Sequence, residues 1–230
     1  MTTYVLVHGA WGGAHGFRLV RPLLAAHGHE VFTPSLTGIG ERSHLASPQV
    51  NLTTHIQDVV NAVWYEDLSD VVLLGFSYGG MVVTGAVSHL ADRIRHLVYL
   101  DAFVPHNGQS LYDLTGQTGG RVLGLGEKWL VSPLPREYEE PEAAAFADLR
   151  RSPHPVGCFT EPVHLPHPLE QYPFSRMFIK ATAEPGPDAF VNAGRHARSS
   201  PAWDYREIAT NHLVPMNRPG ELADILLELA

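Results

Sequence analysis

The stretch LLGFSYGGMVV, residues 73–83, constrains the fold of this chain more strongly than any other part of the sequence. The apolar run at residues 71–74 is typical of a buried strand, and the small and apolar residues after the turn open a helix without a linker. Ser77 lies at the hinge, where the backbone is strained and the flanking residues must be nearly bare. Gly75 and Gly79 provide that room. The pattern Gly-x-Ser-x-Gly therefore predicts a reactive serine, although an ordinary Ser/Gly turn matches it as well.

Strand-like and helical patterns alternate along the rest of the chain. Further strand-like stretches begin at Tyr4, Glu30, His96, Met177 and Trp203. Helical spacing of apolar residues follows Gly16 and Leu52, and PGELADILLELA forms the last helix. Such an alternation with apolar strands indicates a parallel sheet covered on both faces, with the functional loops at the C-terminal ends of the strands. We therefore predict an α/β fold with a mainly parallel sheet of about six strands.

The length and the proline distribution predict one domain with an insertion. A chain of 230 residues is long enough for one sizeable core, so we expect a single domain over residues 1–230. Between about residues 105 and 173 the alternation breaks, proline becomes frequent, and EEPEAAAFADLRR forms a short helical run. An insertion of this length is too long for a plain connection and predicts a helical cap over the functional edge.

Composition and charge exclude several classes of partner. The formal net charge is −8 at pH 7 and no basic stripe is present, so neither nucleic acid nor a membrane is expected as a partner. The single cysteine, Cys158, excludes an internal disulfide, and the N-terminus signals neither export nor membrane insertion. These features predict a cytoplasmic protein that acts on a small-molecule substrate, and they leave a homodimer open.

His212 is the best candidate for the base that a reactive serine requires. A serine hydroxyl is a weak nucleophile near neutral pH, and imidazole is the usual base within hydrogen-bond reach. Among 14 histidines, His212 stands out because ATNHLVP is a turn between the last predicted strand and the last helix. That turn belongs to the same sheet edge as Ser77, and the chain order serine, acid, histidine is expected of this architecture. The alternative is a solvated loop histidine.

The acid that would orient His212 is ambiguous in the sequence. Any carboxylate at a suitable strand end can hold the imidazole tautomer and offset its charge. Glu184 follows the strand MFIKATA, the commonest position for this acid, with Asp188 close behind, whereas Asp101 follows HLVYL. A carboxylate between VYL and AFVP is costly to desolvate unless a group pairs with it, which makes Asp101 the more telling residue. A turn aspartate and a solvated loop glutamate are the alternatives.

Acyl transfer also requires hydrogen-bond donors for the oxyanion. The loop HGAWGG, residues 8–13, follows the first strand, and its glycines leave backbone N–H groups able to point inward. We expect the N–H groups of Ala10 and Tyr78 to be the two donors. Neither a Gly-x-Gly-x-x-Gly pattern nor a Gly-Lys-Ser/Thr ending occurs in this loop, so a phosphate-binding role is disfavoured and no cofactor is expected.

Two further residue sets are weaker candidates. Trp11 and Trp129, together with Tyr78, are candidates to line an apolar substrate pocket, with plain packing as the alternative. His164 and His167 in HLPHP have a spacing that suits a metal ion on a helix, but the prolines disfavour a helix there. Because no carboxylate or cysteine completes a ligand set, no metal site is predicted.

Four segments together resemble the α/β-hydrolase fold, in the branch of small esterases that includes plant methylesterases, salicylate-binding esterases, hydroxynitrile lyases and their bacterial relatives. The segments are YVLVHGAWGGAHGF, GFSYGGM, LDAFVP and NHLVPMNRPGELADILLELA. The resemblance covers nearly the whole chain and is weakest in the insertion. It implies that Ser77 is the nucleophile, that His212 is the base, and that Ala10 and Tyr78 donate to the oxyanion.

The resemblance also bears on the acid and on the reaction. The plant enzymes take their acid after the strand that matches MFIKATA, which implies Glu184, whereas bacterial relatives carry the aspartate of LDAF, which favours Asp101. Related hydroxynitrile lyases carry threonine and lysine where Gly9 and Leu213 stand here, which implies open space near the oxyanion and no cation for a leaving anion. We therefore expect a serine esterase that cleaves a small carboxylic ester, lactone, carbamate or thioester through an acyl-enzyme. A lyase, a cyclase and a non-catalytic ligand sensor are the alternatives.

Overall fold

The computed structural model describes residues 1–116, 129–183 and 188–230. The strands are β1 (Thr3–Val7), β2 (Glu30–Phe32), β3 (Val71–Phe76), β4 (Ile94–Leu100), β5 (Leu130–Val131), β6 (His154–Pro155), β7 (Ser175–Ala181) and β8 (Asp204–Ile208). Six of them form one sheet in the order β2-β1-β3-β4-β7-β8, and every neighbouring pair is parallel. These six strands coincide with the strand-like stretches of the sequence, which confirms the predicted α/β fold.

Helices cover both faces of the sheet. They are α1 (Arg21–Ala26), α2 (Leu52–Tyr65), α3 (Gly79–Leu90), α4 (Leu111–Thr115), α5 (Pro141–Ala147), α6 (Gly157–Thr160), α7 (Val191–Ser199), α8 (Val214–Asn217) and α9 (Pro219–Leu227). Side chains from α2, α3 and α7 belong to one buried cluster, and side chains from α8 and α9 belong to the other. In the part of the chain that the structure describes, no helix is long and apolar enough to cross a membrane.

The central strand β3 shows why its sequence is continuously apolar. Val71 and Leu73 pack into one hydrophobic cluster, while Val72 and Leu74 pack into the cluster on the opposite face. All four side chains are fully buried. Because successive residues of a strand point to opposite faces, a parallel strand between two helical layers needs an apolar residue at every position. The burial of β3 in turn fixes the position of the turn that follows it.

The stretch between β4 and β7 contains the insertion predicted for residues 105–173. Its described part holds α4, α5 and α6 and also a small antiparallel sheet of β5 and β6, which the sequence did not predict. The insertion packs against the loop after β1, where the N–H of Ser152 donates to the Trp11 carbonyl at 3.0 Å. The Trp11 N–H donates to Nδ1 of His154 at 3.3 Å. The insertion therefore lies against the functional edge of the sheet.

Candidate active site

Ser77 lies in a tight turn between β3 and α3. Its φ angle is 57°, in the left-handed region that residues with a side chain rarely adopt. The turn is possible only because its neighbours are bare: a Cβ atom on Gly75 would lie 2.7 Å from the Gly79 carbonyl oxygen, and one on Gly79 would lie 2.6 Å from the Val7 carbonyl oxygen. This strand, strained turn and helix have the geometry known as a nucleophile elbow.

The structure brings Ser77, His212 and Asp101 together from three separate elements. The Ser77 hydroxyl lies 2.9 Å from Nε2 of His212, and Nδ1 of His212 lies 2.7 Å from Oδ2 of Asp101. Because a carboxylate only accepts hydrogen bonds, Nδ1 carries the proton and Nε2 is the acceptor for the proton of the serine. This tautomer is the one that a general base beside a serine requires. The alternative acid, Glu184, lies outside the described residues.

Asp101 is almost completely buried and is held on every side. It directly follows β4 with a φ angle of 39°, and its side chain is 1% exposed. Its N–H donates to the Ile179 carbonyl at 2.7 Å. Its Oδ1 accepts from the Lys180 ammonium at 2.7 Å and from the Ala181 N–H at 3.3 Å. The two carboxylate oxygens therefore face different partners, His212 on one side and β7 on the other.

Lys180 is a site residue that the sequence analysis missed. Its ammonium contacts Asp101 and lies 3.0 Å from Oδ2 of Asp188, and its side chain is only 8% exposed. Burial disfavours its charge, but the two carboxylates outweigh this effect, so the pKa of Lys180 is raised above its ordinary value. The available signal was a lysine inside the otherwise apolar strand MFIKATA, since a buried cation requires a buried anion.

Two aromatic rings hold the imidazole of His212. Phe76 stacks on it with a centroid distance of 4.8 Å and an interplanar angle of 27°, and Phe190 stacks on it at 4.8 Å and 13°. Phe76 ends β3, while Phe190 precedes α7, so the two rings come from opposite sides of the site. They restrict the ring to the plane in which it contacts both Ser77 and Asp101.

The loop after β1 approaches the nucleophile closely. A Cβ atom on Gly9 would lie 2.9 Å from Cβ of Ser77 and 3.3 Å from the Phe76 carbonyl oxygen. The sequence interpretation of Gly9 as open space is therefore wrong, because atoms of Ser77 and Phe76 already occupy the space that a side chain would need. Ala10 and Tyr78, the expected oxyanion donors, both line the cavity beside Ser77.

A buried hydrogen-bond network supports Tyr78 from behind. Nε2 of His55 lies 2.8 Å from the Thr37 carbonyl oxygen, and Nδ1 of His55 lies 3.0 Å from the Tyr78 hydroxyl. Since the carbonyl only accepts, Nε2 of His55 carries the proton and Nδ1 accepts from Tyr78. Burial lowers the pKa of His55 to about 4, which keeps the ring neutral. The network fixes the ring of the residue that follows the nucleophile.

His55, His154 and Cys158 place potential metal-ligating atoms within 4.8 Å of one another. Both ring nitrogens of His55 already form hydrogen bonds, and Nδ1 of His154 accepts from the Trp11 N–H, which leaves the proton of a neutral ring on Nε2. Burial also raises the pKa of the Cys158 thiol, and a metal ligand must be the thiolate. His55 and Cys158 thus belong to a hydrogen-bonded network, and His154 packs edge-on against the His55 ring. His164 lies in a loop, not on a helix.

A cavity of about 720 Å³ opens onto Ser77 and His212. Among the described residues, its apolar walls are formed by Trp11, Phe103, Leu111, Tyr112, Val131, Leu134, Phe159, Phe190 and Leu213. Its polar walls include Thr115, Arg136, Glu137, Asp188 and Asn211. A cavity of this size suits a small ligand with an apolar body and few polar groups.

The two tryptophans predicted to line the pocket have different positions. Trp11 lies in the cavity wall, as predicted. Trp129 does not line the cavity, and instead it packs against the larger hydrophobic cluster directly before β5. Its carbonyl accepts from the Val156 N–H at 2.8 Å. The prediction for Trp129 is wrong because pairing with the second half of the insertion holds this residue against the core.

Comparison with known proteins identifies the class. Residues 4–225 match the model of the alpha/beta hydrolase family, and the chain belongs to that family. The carbendazim hydrolyzing esterase of Nocardioides sp. (strain SG-4G) is 36% identical to it over 247 aligned residues, which cover 100% of each chain.

Two solved structures show the same fold. An extracellular alpha/beta-hydrolase from a Paenibacillus species superposes with a TM-score of 0.84 at 23% identity, covering 100% of this chain and 99% of its own. A methylesterase from Arabidopsis superposes with a TM-score of 0.80 at 24% identity, covering 99% and 98%. The family and the class of enzyme predicted from the sequence, a carboxylic ester hydrolase, are confirmed.

Proposed function

We propose that this enzyme hydrolyses small, uncharged, aromatic or apolar esters through an acyl-enzyme on Ser77, with His212 as base and Asp101 as acid. One observation carries the proposal. The hydrogen-bonded chain from Ser77 through His212 to Asp101, with distances of 2.9 and 2.7 Å, ends at a cavity of about 720 Å³. A nucleophile, its base and an orienting acid at the floor of an apolar cavity are the components that acyl transfer requires.

The reaction follows from the positions of these atoms. As Oγ of Ser77 attacks the ester carbonyl carbon, its proton moves to Nε2 of His212, and Asp101 stabilises the resulting imidazolium. The carbonyl oxygen becomes an oxyanion that accepts hydrogen bonds from the N–H groups of Ala10 and Tyr78. Collapse of the intermediate breaks the ester C–O bond, and His212 returns the proton to the leaving alcohol. Water then gives a proton to His212 as it attacks the acyl carbon, the bond from that carbon to Oγ breaks, the carboxylic acid leaves, and His212 returns the proton to Ser77.

The cavity walls support the proposed class of substrate. Several aromatic rings face the space above Ser77, among them Trp11, Phe103, Tyr112 and Phe159. Aromatic walls of this kind stack on flat or apolar groups, whereas a strongly charged acyl group would be desolvated against them. The full-length similarity to an esterase named for carbendazim is consistent with a small organic ester or carbamate. Lactones and thioesters present the same reacting carbon and are within the chemistry of this site.

Leu213 supports hydrolysis over the lyase alternative. It follows His212 directly, is 5% exposed, and presents an apolar side chain to the cavity. A leaving anion such as cyanide would gain no charge stabilisation from this position.

The proposal includes the setting in which the enzyme works. The acyl-transfer steps above use only groups of the protein and water, so we infer no cofactor and only a small-molecule substrate as partner. Cys158 is buried and unpaired, which suits the reducing cytoplasm.

Hydrolysis of p-nitrophenyl esters of increasing chain length tests the proposal. Wild-type enzyme is expected to release nitrophenol, and Ser77→Ala is expected to lower kcat by about 10³-fold or more. Ser88→Ala is the matched control, because Ser88 lies on α3, and its hydroxyl bonds to the Gly85 carbonyl at 3.0 Å. Full activity of Ser77→Ala would refute the proposal.

A further inference from the structure

The acid of the proposed triad has an unusual second partner. Asp101 is 1% exposed, and the form of His212 that can act as a base is the neutral imidazole, which supplies no charge to balance a carboxylate. The balancing charge is the Lys180 ammonium, 2.7 Å from Oδ1. Lys180 also donates to the Ala181 carbonyl at 2.6 Å, which together with its two carboxylate partners uses all three of its hydrogens. The ammonium is therefore fixed in position.

Lys180 links Asp101 to Phe190, which stacks on His212. Its second carboxylate partner, Asp188, lies 3.0 Å away, and Oδ1 of Asp188 accepts from the Phe190 N–H at 2.8 Å. Phe190 is the ring that stacks on His212 at 4.8 Å. The buried ammonium of Lys180 thus contacts Asp101 directly. Through Asp188 it also holds Phe190, the ring that stacks on His212.

We propose that Lys180 is a positioning residue for the triad: it fixes the side chain of Asp101 and limits how strongly Asp101 favours a protonated His212, while Asp188 competes for the same ammonium. This inference rests on the proposed function of the triad. Its physical basis is that a cation beside Asp101 opposes a positive charge on His212, and a second anion beside that cation weakens the opposition.

The sign of each effect follows from these charges. Because His212 acts as a base only when neutral, activity rises with pH as the imidazole loses its proton. Loss of the Lys180 charge stabilises the imidazolium and moves this acid limb to higher pH. Loss of the Asp188 charge destabilises the imidazolium and moves the acid limb to lower pH. Among the described residues, the further titratable or charged groups near His212 include Ser77 at the ring, Tyr78, Arg136 and Glu137 on the cavity wall, and Glu139, which accepts from Thr210 and pairs with Arg218.

The test is the pH dependence of kcat/KM for p-nitrophenyl acetate between pH 5.5 and 9, read at the isosbestic wavelength of nitrophenol. Lys180→Gln keeps a hydrogen-bond donor and removes the charge. The midpoint of its acid limb is expected to move to higher pH by about one unit. Asp188→Asn keeps the acceptor for Phe190 and is expected to lower the limb. Arg198→Gln removes an exposed cation on α7 and serves as the matched control, with the limb unchanged.

Opposite shifts in the two variants support the inference. Unchanged acid limbs with a reduced kcat, or shifts in the same direction, overturn it and leave Lys180 with a structural role only. If Lys180→Gln does not fold, Asp188→Asn decides alone: a lower limb supports the inference and an unchanged limb overturns it. Ser77→Ala is measured in parallel. Full activity of Ser77→Ala would refute the proposed function. An inactive Ser77→Ala, together with unshifted acid limbs in Lys180→Gln and Asp188→Asn, would refute only the role of Lys180.

Discussion

At the scale of single residues, the two carboxylate oxygens of Asp101 contact different partners. Oδ2 faces the imidazole of His212 at 2.7 Å, and Oδ1 faces the Lys180 ammonium at the same distance. The acid can therefore orient His212 without remaining an unbalanced buried charge. Asp101 directly follows β4, the sheet neighbour of β7, and reaches His212 in the turn after β8.

Replacement of the acid by its amide gives the first prediction. Asp101→Asn retains the size of the side chain but allows the amide to donate to Nδ1, which favours the wrong imidazole tautomer. We expect kcat for p-nitrophenyl acetate to fall by about 10⁴-fold, as in serine proteases. Glu184→Gln is the comparison variant and is expected to keep most of the activity. The reverse ranking of the two variants would assign the acid to Glu184.

The residue scale also shows what the sequence could and could not reveal. Ser77 and His212 were predictable because local signals mark them, the glycines around the serine and the turn before the last helix. The contact of Asp101 with Lys180, 79 positions away, arises only when β4 and β7 pair, and Glu184 lies outside the described residues, so the choice of Asp101 as the acid stays a prediction. The lysine within MFIKATA indicates a buried anion nearby, but it does not say which carboxylate that anion is.

At the scale of elements, the loop after β1 sets the shape of the site. It is held from outside by the insertion, through the Trp11 N–H bond to His154, and from inside by its contact with the elbow. The misinterpretation of Gly9 and the misplacement of Trp129 have the same origin. Both depend on how the loop and the insertion pack against other elements, which residue type and spacing do not determine.

The closeness of this loop to the elbow gives the second prediction. Gly9→Ala places a Cβ atom 2.9 Å from Cβ of Ser77, so the loop or the serine must shift. Because catalytic geometry tolerates little displacement, kcat/KM is expected to fall by about 10²-fold with the fold retained. Gly16→Ala is the matched control, since a Cβ atom there meets nothing within 4 Å. Equal activity of both variants would show that the loop does not position the reacting groups.

At the scale of the whole molecule, buried histidines link stability to pH. Burial lowers the pKa of His8 and His55 to about 4 each, and that of His154 well below its ordinary value. In the unfolded chain these groups have a pKa near 6.5. Between pH 6.5 and 4 the unfolded chain therefore binds protons that the folded chain does not, and the stability present above pH 6.5 is lost as the pH falls.

This linkage gives the third prediction. From pH 7 to pH 5.5 the free energy of unfolding is expected to fall by about 1 kcal/mol for each of the three histidines, about 3–4 kcal/mol in all. Urea denaturation followed by circular dichroism at the two pH values measures the change. His154→Phe removes one of the three groups and is expected to reduce the difference by about 1 kcal/mol. Equal stability at both pH values would mean that these rings are not held neutral.

The most direct test of the whole account is capture of the covalent intermediate. Wild-type enzyme is mixed with a p-nitrophenyl ester, quenched in acid within the first turnovers, and digested for peptide mass analysis. We predict one acyl group per chain, located on Ser77 in the peptide that contains GFSYGGM, and none in the Ser77→Ala variant. Turnover without an adduct in the wild type, or with the acyl group on another residue, would contradict acyl transfer to Ser77.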